Sequence, residues 1–141
     1  MLKFDVKISE ASLAAIKAAV EAKARDVMED TAVKIFNKIV TGSEGADYPL
    51  YSGSYIASWT IQSGSPNTSY KQPYWNKNLY DAPDPVLGVS GAEKVNTIYV
   101  SNYVPHAGTV ELDGTPTHPS PWMQAHYAVN DVVASVFANI Y

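Results

Sequence analysis

Apolar and polar positions change their period shortly after the start of the chain. Residues 2–8 alternate apolar with mostly charged side chains, a period of two that predicts a first strand with one buried face. Ser9 can cap a helix that follows. From Leu13 to Ile39 the apolar positions recur at spacings near three and four, which predicts an amphipathic helix over about residues 10–40.

The length of this helix is itself informative. About 30 residues at about 1.5 Å each span roughly 45 Å, whereas a compact chain of this size is about 37 Å across. Residues 10–40 contain no proline that would force a kink. We therefore expect part of the helix to overhang its own core, and either to bend or to pack against another subunit.

The middle of the chain is rich first in strand formers and then in proline. Residues 51–61 favour a second strand, because aromatic and β-branched side chains share one alternating face. Residues 64–93 then carry prolines, polar residues and several aromatics. Loops of this length are uncommon inside compact domains, and the aromatic content argues against plain disorder. We expect a long loop or arm at about 64–93.

The last third of the chain predicts two short strands and a closing helix. Residues 95–104 favour a third strand and residues 110–112 a short fourth one. A serine followed by a proline is typical of a helix start, and predicts a helix over about residues 121–139. Together the elements predict a single domain over residues 1–141 with an α+β fold, a small antiparallel β-sheet or sandwich packed by a long N-terminal helix and a C-terminal helix. The buried stripe of the closing helix is expected among Met123, Tyr127, Val129, Val132, Val133, Val136, Phe137 and Ile140.

Composition narrows the class of protein. The chain has 141 residues, with 46% hydrophobic and 17% charged side chains, which is typical of a globular domain. It has no cysteine, which excludes disulfide scaffolds, thiolate catalysis and cysteine zinc sites. The net charge is −4, whereas a protein that binds by neutralising phosphates is expected to be basic.

The hydrophobic pattern contains neither a secretion signal nor a membrane span. The alternation over residues 2–8 interrupts the continuous apolar core that a signal needs. No stretch approaches about 18 consecutive apolar residues, the length that spans a bilayer. We expect a soluble protein of the cell interior, or one assembled there, with no membrane partner.

Candidate catalytic chemistry is sparse. A two-histidine, one-carboxylate metal site can be drawn from His106, Glu111 and His118, but the spacing is not one that metal-binding helices use. The chain has no Gly-x-Ser-x-Gly motif and no complete phosphate-binding loop. We expect no catalytic residue, no metal and no cofactor, and keep a metal-dependent hydrolase as an alternative.

Aromatic side chains are abundant by contrast. Ten tyrosines and three tryptophans exceed what one small core needs, and several lie in predicted loops. Tyrosine and tryptophan are enriched at protein interfaces, which favours an assembly protein. An aromatic loop folded back on its own sheet is one alternative. Another is a module that binds carbohydrate or peptide on a stacking platform of Trp59, Tyr74 and Trp75.

A short amphipathic strand that leads directly into a long helix, together with three motifs that follow it, resembles a known family. The run Ser-Gly-Ser-Tyr-Ile-Ala-Ser-Trp at residues 52–59 is similar to the "Thr-Gly-x-Leu-x-x-Ser" strand of the tail-completion, or neck, proteins of long-tailed bacteriophages. Residues 100–115 resemble the family segment "Val-x-Asn-x-x-x-Tyr-Ala-x-x-Val-Glu-x-Gly-Thr", with His106 where the family usually has tyrosine. Residues 119–123 are similar to its proline-aromatic start of the closing helix.

The resemblance implies a structural virion protein of the lambdoid type, with a fold like that of tail terminators. Such a protein forms a homo-oligomeric ring, expected to be a hexamer, after assembly in the host cytoplasm. The ring joins the portal, adaptor or head-closure protein to the tail terminator or tail tube protein. Genomic DNA passes through its lumen without sequence-specific binding. A tail-terminator or head-closure role in the same neck is the nearest alternative.

The aromatic surplus and the resemblance together predict which residues lie at subunit or ring interfaces. These candidates come from the arm, from the segment of residues 100–115 and from the start of the closing helix. They are Tyr70, Tyr74, Trp75, Tyr80, His106, Glu111, Leu112, His118 and Trp122.

Overall fold

A computed structural model describes residues 3, 7, 9–42, 54–71, 83–89, 97–113 and 123–140. The elements in chain order are the helix α1 (Glu10–Gly42), the short helix α2 (Ser54–Ala57), the strands β1 (Trp59–Ser63) and β2 (Ile98–Asn102), a π-helical turn (Thr109–Asp113) and the helix α3 (Gln124–Ile140). The predicted α+β fold, with a long N-terminal helix, a C-terminal helix and a small antiparallel sheet, is confirmed. The predicted first strand lies outside the described residues apart from Lys3 and Lys7.

Helix α1 begins where the sequence predicts. The Ser9 hydroxyl accepts a hydrogen bond from the Ser12 N–H at 3.1 Å, and the Ser9 carbonyl accepts one from the Leu13 N–H at 3.0 Å. Ser9 is therefore the N-cap. The helix runs for 33 residues, which at about 1.5 Å per residue gives a rod of roughly 50 Å.

The sheet consists of β1 and β2 in antiparallel register. Trp59 lies opposite Asn102, Ile61 opposite Val100, as the strands run past each other. The hydroxyls of Thr60 and Ser101 contact across the strands at 3.2 Å, a cross-strand pair of the kind that stabilises such ladders.

The predicted second strand at residues 51–61 is wrong over residues 54–57, and residues 51–53 lie outside the described residues. Residues 54–57 form α2, and the strand begins only at Trp59. Three consecutive side chains, those of Ser54, Tyr55 and Ile56, are all buried. A strand sends successive side chains to opposite faces, so one turn of helix is what lets adjacent residues enter the same core.

The predicted fourth strand at residues 110–112 is also wrong. This segment forms the π-helical turn, with the Val110 N–H donating to the His106 carbonyl at 3.0 Å. Val110 is buried in the core while Leu112 is exposed. The turn thus places one apolar side chain inward without a neighbouring strand.

The core lies where the second half of α1 meets α2, the sheet and α3. Its buried members are Phe36, Ile39, Val40, Tyr55, Ile56, Trp59, Val104, Val110 and Ala128. An ion pair between Lys38 and Asp131, 2.8 Å apart, joins α1 to α3 at the rim. Of the described residues, no helix is apolar enough over a sufficient length to cross a bilayer.

The predicted buried stripe of α3 is partly wrong. Ala128 and Val132 are the buried positions, whereas Tyr127, Val129 and Phe137 are exposed. Ala128 and Val132 lie four positions apart and so form the row of α3 that faces inward. Tyr127, Val129 and Phe137 lie on other sides of the helix.

Candidate functional site

Glu111 is held by bonds inside the fold. The Tyr55 hydroxyl donates to its Oε1, and the Ala125 N–H donates to its Oε2 at 3.2 Å. The Glu111 carbonyl also accepts from the Met123 N–H at 3.1 Å, at a residue with a φ of 50°. A carboxylate at a helix N-terminus is favourable. Glu111 therefore ties α2 to the start of α3.

Asn102, at the end of β2, holds the same tyrosine by its backbone. Its Nδ2 donates to the Tyr55 carbonyl at 2.7 Å, and its Oδ1 accepts from the Val104 N–H at 3.1 Å. The Tyr55 ring also packs edge-on against Trp59, with centroids 5.9 Å apart. Two motif segments that are distant in sequence, residues 52–59 and residues 100–115, are thus bonded directly to each other.

Early in the predicted arm, the backbone of Lys71 is held by Ser54 of α2 and by Ser58, which follows α2. The Ser54 hydroxyl donates to the Lys71 carbonyl, and the Ser58 hydroxyl accepts from the Lys71 N–H at 2.9 Å. Both serines are buried, and the neighbouring Tyr70 is 38% exposed. Tyr70 is therefore exposed next to Lys71, whose backbone is hydrogen-bonded to two buried serines.

The far side of the arm is fixed to α1. The Asn37 side chain accepts from the Val86 N–H and donates to the Val86 carbonyl, both at 2.9 Å, as a neighbouring strand would do. Glu29 Oε1 accepts from the Val89 N–H at 3.1 Å. The chain is therefore held on both sides of residues 72–82.

The remaining sequence-predicted candidates divide into two groups. His106 is exposed, Leu112 is 69% exposed, and Glu111 is half-buried. The others lie outside the described residues, and their interface role stays a prediction: Tyr74, Trp75, Tyr80, His118 and Trp122.

The first half of α1 forms a surface that the predicted site did not include. Every described residue from 9 to 26 is exposed, as expected for a helix that overhangs its core. Leu13, Ile16 and Val20 are 53%, 55% and 63% exposed. They lie three and four positions apart and so share one side of the helix. We call these three residues the outward stripe.

The outward stripe lies on the solvent side of α1. Eighteen residues make about five full turns at about 3.6 residues per turn, so positions eighteen apart point the same way. Ile16 corresponds to Lys34 and Val20 to Lys38, both exposed. The stripe therefore faces away from the side of α1 that packs on the core.

In the first half of α1, small residues occupy the positions that correspond to the core-facing residues of the second half. Phe36 and Val40 are buried, and the positions eighteen residues earlier are Ala18 and Ala22. The large apolar side chains of α1 therefore lie on its core-facing side in the second half and on its solvent-facing side in the first half. Comparison of positions eighteen apart is the sequence signal that could have revealed this surface.

The alternative metal site of His106, Glu111 and His118 stays untested, because His118 lies outside the described residues. Among those residues, no group of three or more histidine, aspartate or glutamate side chains could hold a metal ion. The Glu111 carboxylate is already engaged by Tyr55 and Ala125. His126 contacts Asn130 through Nε2 at 3.0 Å, and its ring lies edge-on to the ring of Tyr127.

Compared with known protein families, with curated proteins and with solved structures, the chain matches none. We therefore infer the function from the exposed surfaces, from the contacts above and from the resemblance of the motifs.

Proposed function

We propose that the protein is a structural component of a bacteriophage neck that forms a homo-oligomeric ring, most simply a hexamer. The ring would join a portal, adaptor or head-closure protein to a tail terminator or tail tube protein and let DNA pass. The observation that carries the proposal is the outward stripe on the exposed half of α1. Its role is contact with other subunits rather than catalysis.

The energetics favour a partner for this stripe. Burying an aliphatic side chain of this size contributes about 1.5–3 kcal/mol, and contiguous exposed apolar surface marks interaction sites. The same half of α1 carries three acidic and three basic residues, so its charges cancel. A neutral, apolar-striped rod is suited to lying against another protein.

The net charge of −4 is compatible with a channel that DNA crosses, because like charges repel the phosphates. A tail-terminator or head-closure role in the same neck rests on the same surfaces. The stacking module loses one of its three members, because Trp59 is only 6% exposed and packs against Tyr55.

Native mass spectrometry and electron microscopy of the purified chain test the proposal. We expect closed rings with a central channel, and we expect truncation of Tyr74 and Trp75 to alanine together to leave a folded protein that assembles less. Tyr99→Ala, at an exposed strand position, is the control. A folded monomer that binds a glycan, peptide or metal ion and enters no ring would contradict the proposal.

A further inference from the structure

We propose that the start of α3 is a switch with two arrangements and that Glu111 selects between them. In the capped arrangement, which the structure shows, α3 begins at Gln124 and Glu111 is bonded to its first turn. In the extended arrangement, α3 begins one turn earlier, at Pro121, where the sequence predicts a helix start. The change would redirect residues 114–122, which carry two of the predicted interface residues.

The backbone of Met123 is strained in the capped arrangement. Its φ of 50° is the one positive value among the described residues other than glycine, and it lies in the left-handed region that most side chains avoid. The Met123 carbonyl accepts from the Tyr127 N–H at 3.0 Å, so Met123 is the N-cap of α3. An N-cap residue ordinarily has extended backbone angles and a capping side-chain oxygen. Methionine supplies neither here.

Glu111 supplies what Met123 lacks. Its Oε2 accepts from the Ala125 N–H at 3.2 Å, which caps the helix from a different element. Its carbonyl accepts from the Met123 N–H at 3.1 Å, and the Tyr55 hydroxyl donates to Oε1. A strained backbone persists only where its surroundings over-determine it. The bonds to Glu111 therefore hold Met123 at its positive φ.

The two arrangements balance terms of similar size. Extension gives up the bonds to Glu111, relieves the left-handed backbone of Met123, and gains a serine N-cap and a proline at the first helical position. The cost of a left-handed residue, the contribution of an N-cap and that of a hydrogen bond to a charged group are comparable in magnitude. A partner that contacts residues 114–122 in one arrangement can therefore shift the population.

The variants Met123→Gly and Met123→Ala report which arrangement is populated. Both remove the side chain beyond the Cβ position, so their difference in urea midpoint reflects mainly the backbone. At a positive φ, glycine is favoured over alanine by about fivefold in the folding equilibrium, whereas within a helix alanine is favoured by a similar factor. We expect the Met123→Gly variant to unfold at the higher urea concentration.

Glu111→Gln should shift the switch toward the extended arrangement, because it removes the charge and one of the two carboxylate acceptors. In that background we expect the Met123→Ala variant to become the more stable of the two. Asp113→Asn, the same change at an exposed position of the π-helical turn, is the matched control and should keep the original order. Nuclear magnetic resonance of methionine-labelled protein gives a direct check. The Overhauser effect between the amide and α protons of Met123 is strong at positive φ and should weaken with Glu111→Gln.

Two results would overturn the inference. Greater stability of the Met123→Ala variant in the otherwise unchanged chain would show that the capped arrangement is not the one populated. An unchanged order of the two variants with Glu111→Gln would show that the start of α3 has a single arrangement. If Glu111→Gln does not fold, Tyr55→Phe, which removes the hydroxyl bonded to the same carboxylate, replaces it with the same expected reversal. No readout depends on assembly, so the proposed ring keeps its own test.

Discussion

At the scale of single residues, Tyr55 is the junction of the fold. Its hydroxyl reaches Glu111, its carbonyl reaches Asn102, and its ring packs on Trp59. These partners come from the π-helical turn, β2 and β1. One residue therefore contacts three elements through its hydroxyl, its backbone carbonyl and its ring, and a substitution by phenylalanine removes the hydroxyl alone.

Replacing Tyr55 with phenylalanine should lower the free energy of unfolding by about 1–3 kcal/mol, because the partly buried Glu111 carboxylate loses a donor. Urea unfolding followed by circular dichroism measures the change. Tyr103→Phe is the control, since that ring is 45% exposed, and it should change stability by less than about 0.5 kcal/mol. Equal effects of the two substitutions would show that the Tyr55–Glu111 bond contributes nothing.

Local patterns could identify the important residue types at this scale but not their partners. The sequence singled out Glu111 through a motif and Trp59 as a stacking candidate. The structure gives Glu111 a bond to a residue 56 positions away and buries Trp59. Such pairings depend on how elements meet, which no spacing along one element encodes.

At the scale of elements, α1 has two halves with different tasks. Residues 27–42 carry its buried side chains, and the exposed residues 10–26 include seven alanines. Alanine has the highest intrinsic helix propensity, and the packed half supplies the nucleus that an isolated helix must form at a cost. The exposed half can therefore continue the helix without tertiary contacts of its own.

Asn37 is one of two α1 side chains, with Glu29, that attach residues 83–89 to the helix. Asn37→Asp removes the donor to the Val86 carbonyl and sets a carboxylate oxygen beside it, so we expect a loss of about 1–3 kcal/mol in unfolding free energy and faster tryptic cleavage after Lys71. Denaturant titration and timed proteolysis measure these effects. Asn130→Asp is the matched control, because Asn130 is exposed on α3; the attachment is refuted if both variants behave alike.

The hydrophobic period predicted the long helices correctly and the short elements incorrectly. The span of α1 and the existence of α3 followed from many repeats of one spacing. The short elements failed, because in α2 and in the π-helical turn the burial of single residues such as Ile56 and Val110 overrides strand propensity. The change of apolar side along α1 was legible in the sequence, yet its meaning required knowing which half packs.

At the scale of the whole molecule, folding and assembly use different surfaces. The buried members of the core come from the second half of α1 and from the segments packed on it, while the outward stripe is exposed. A substitution at the stripe should therefore alter association without altering the fold. A substitution in the core should instead lower the free energy of unfolding of the monomer and leave the association surface unchanged.

Ile16→Asp tests this separation. Ile16 is 55% exposed, so the variant should unfold at nearly the same denaturant concentration as the original chain, while its self-association weakens by at least about tenfold because a charge replaces a side chain that contact would bury. Phe36→Ala, at a position only 2% exposed, should instead lose about 3–5 kcal/mol of stability. Native mass spectrometry against concentration measures the first effect and denaturant titration the second. If Ile16→Asp assembled as well as the original chain, the stripe would be an incidental feature of an overlong helix, and the ring would have to be built from other surfaces.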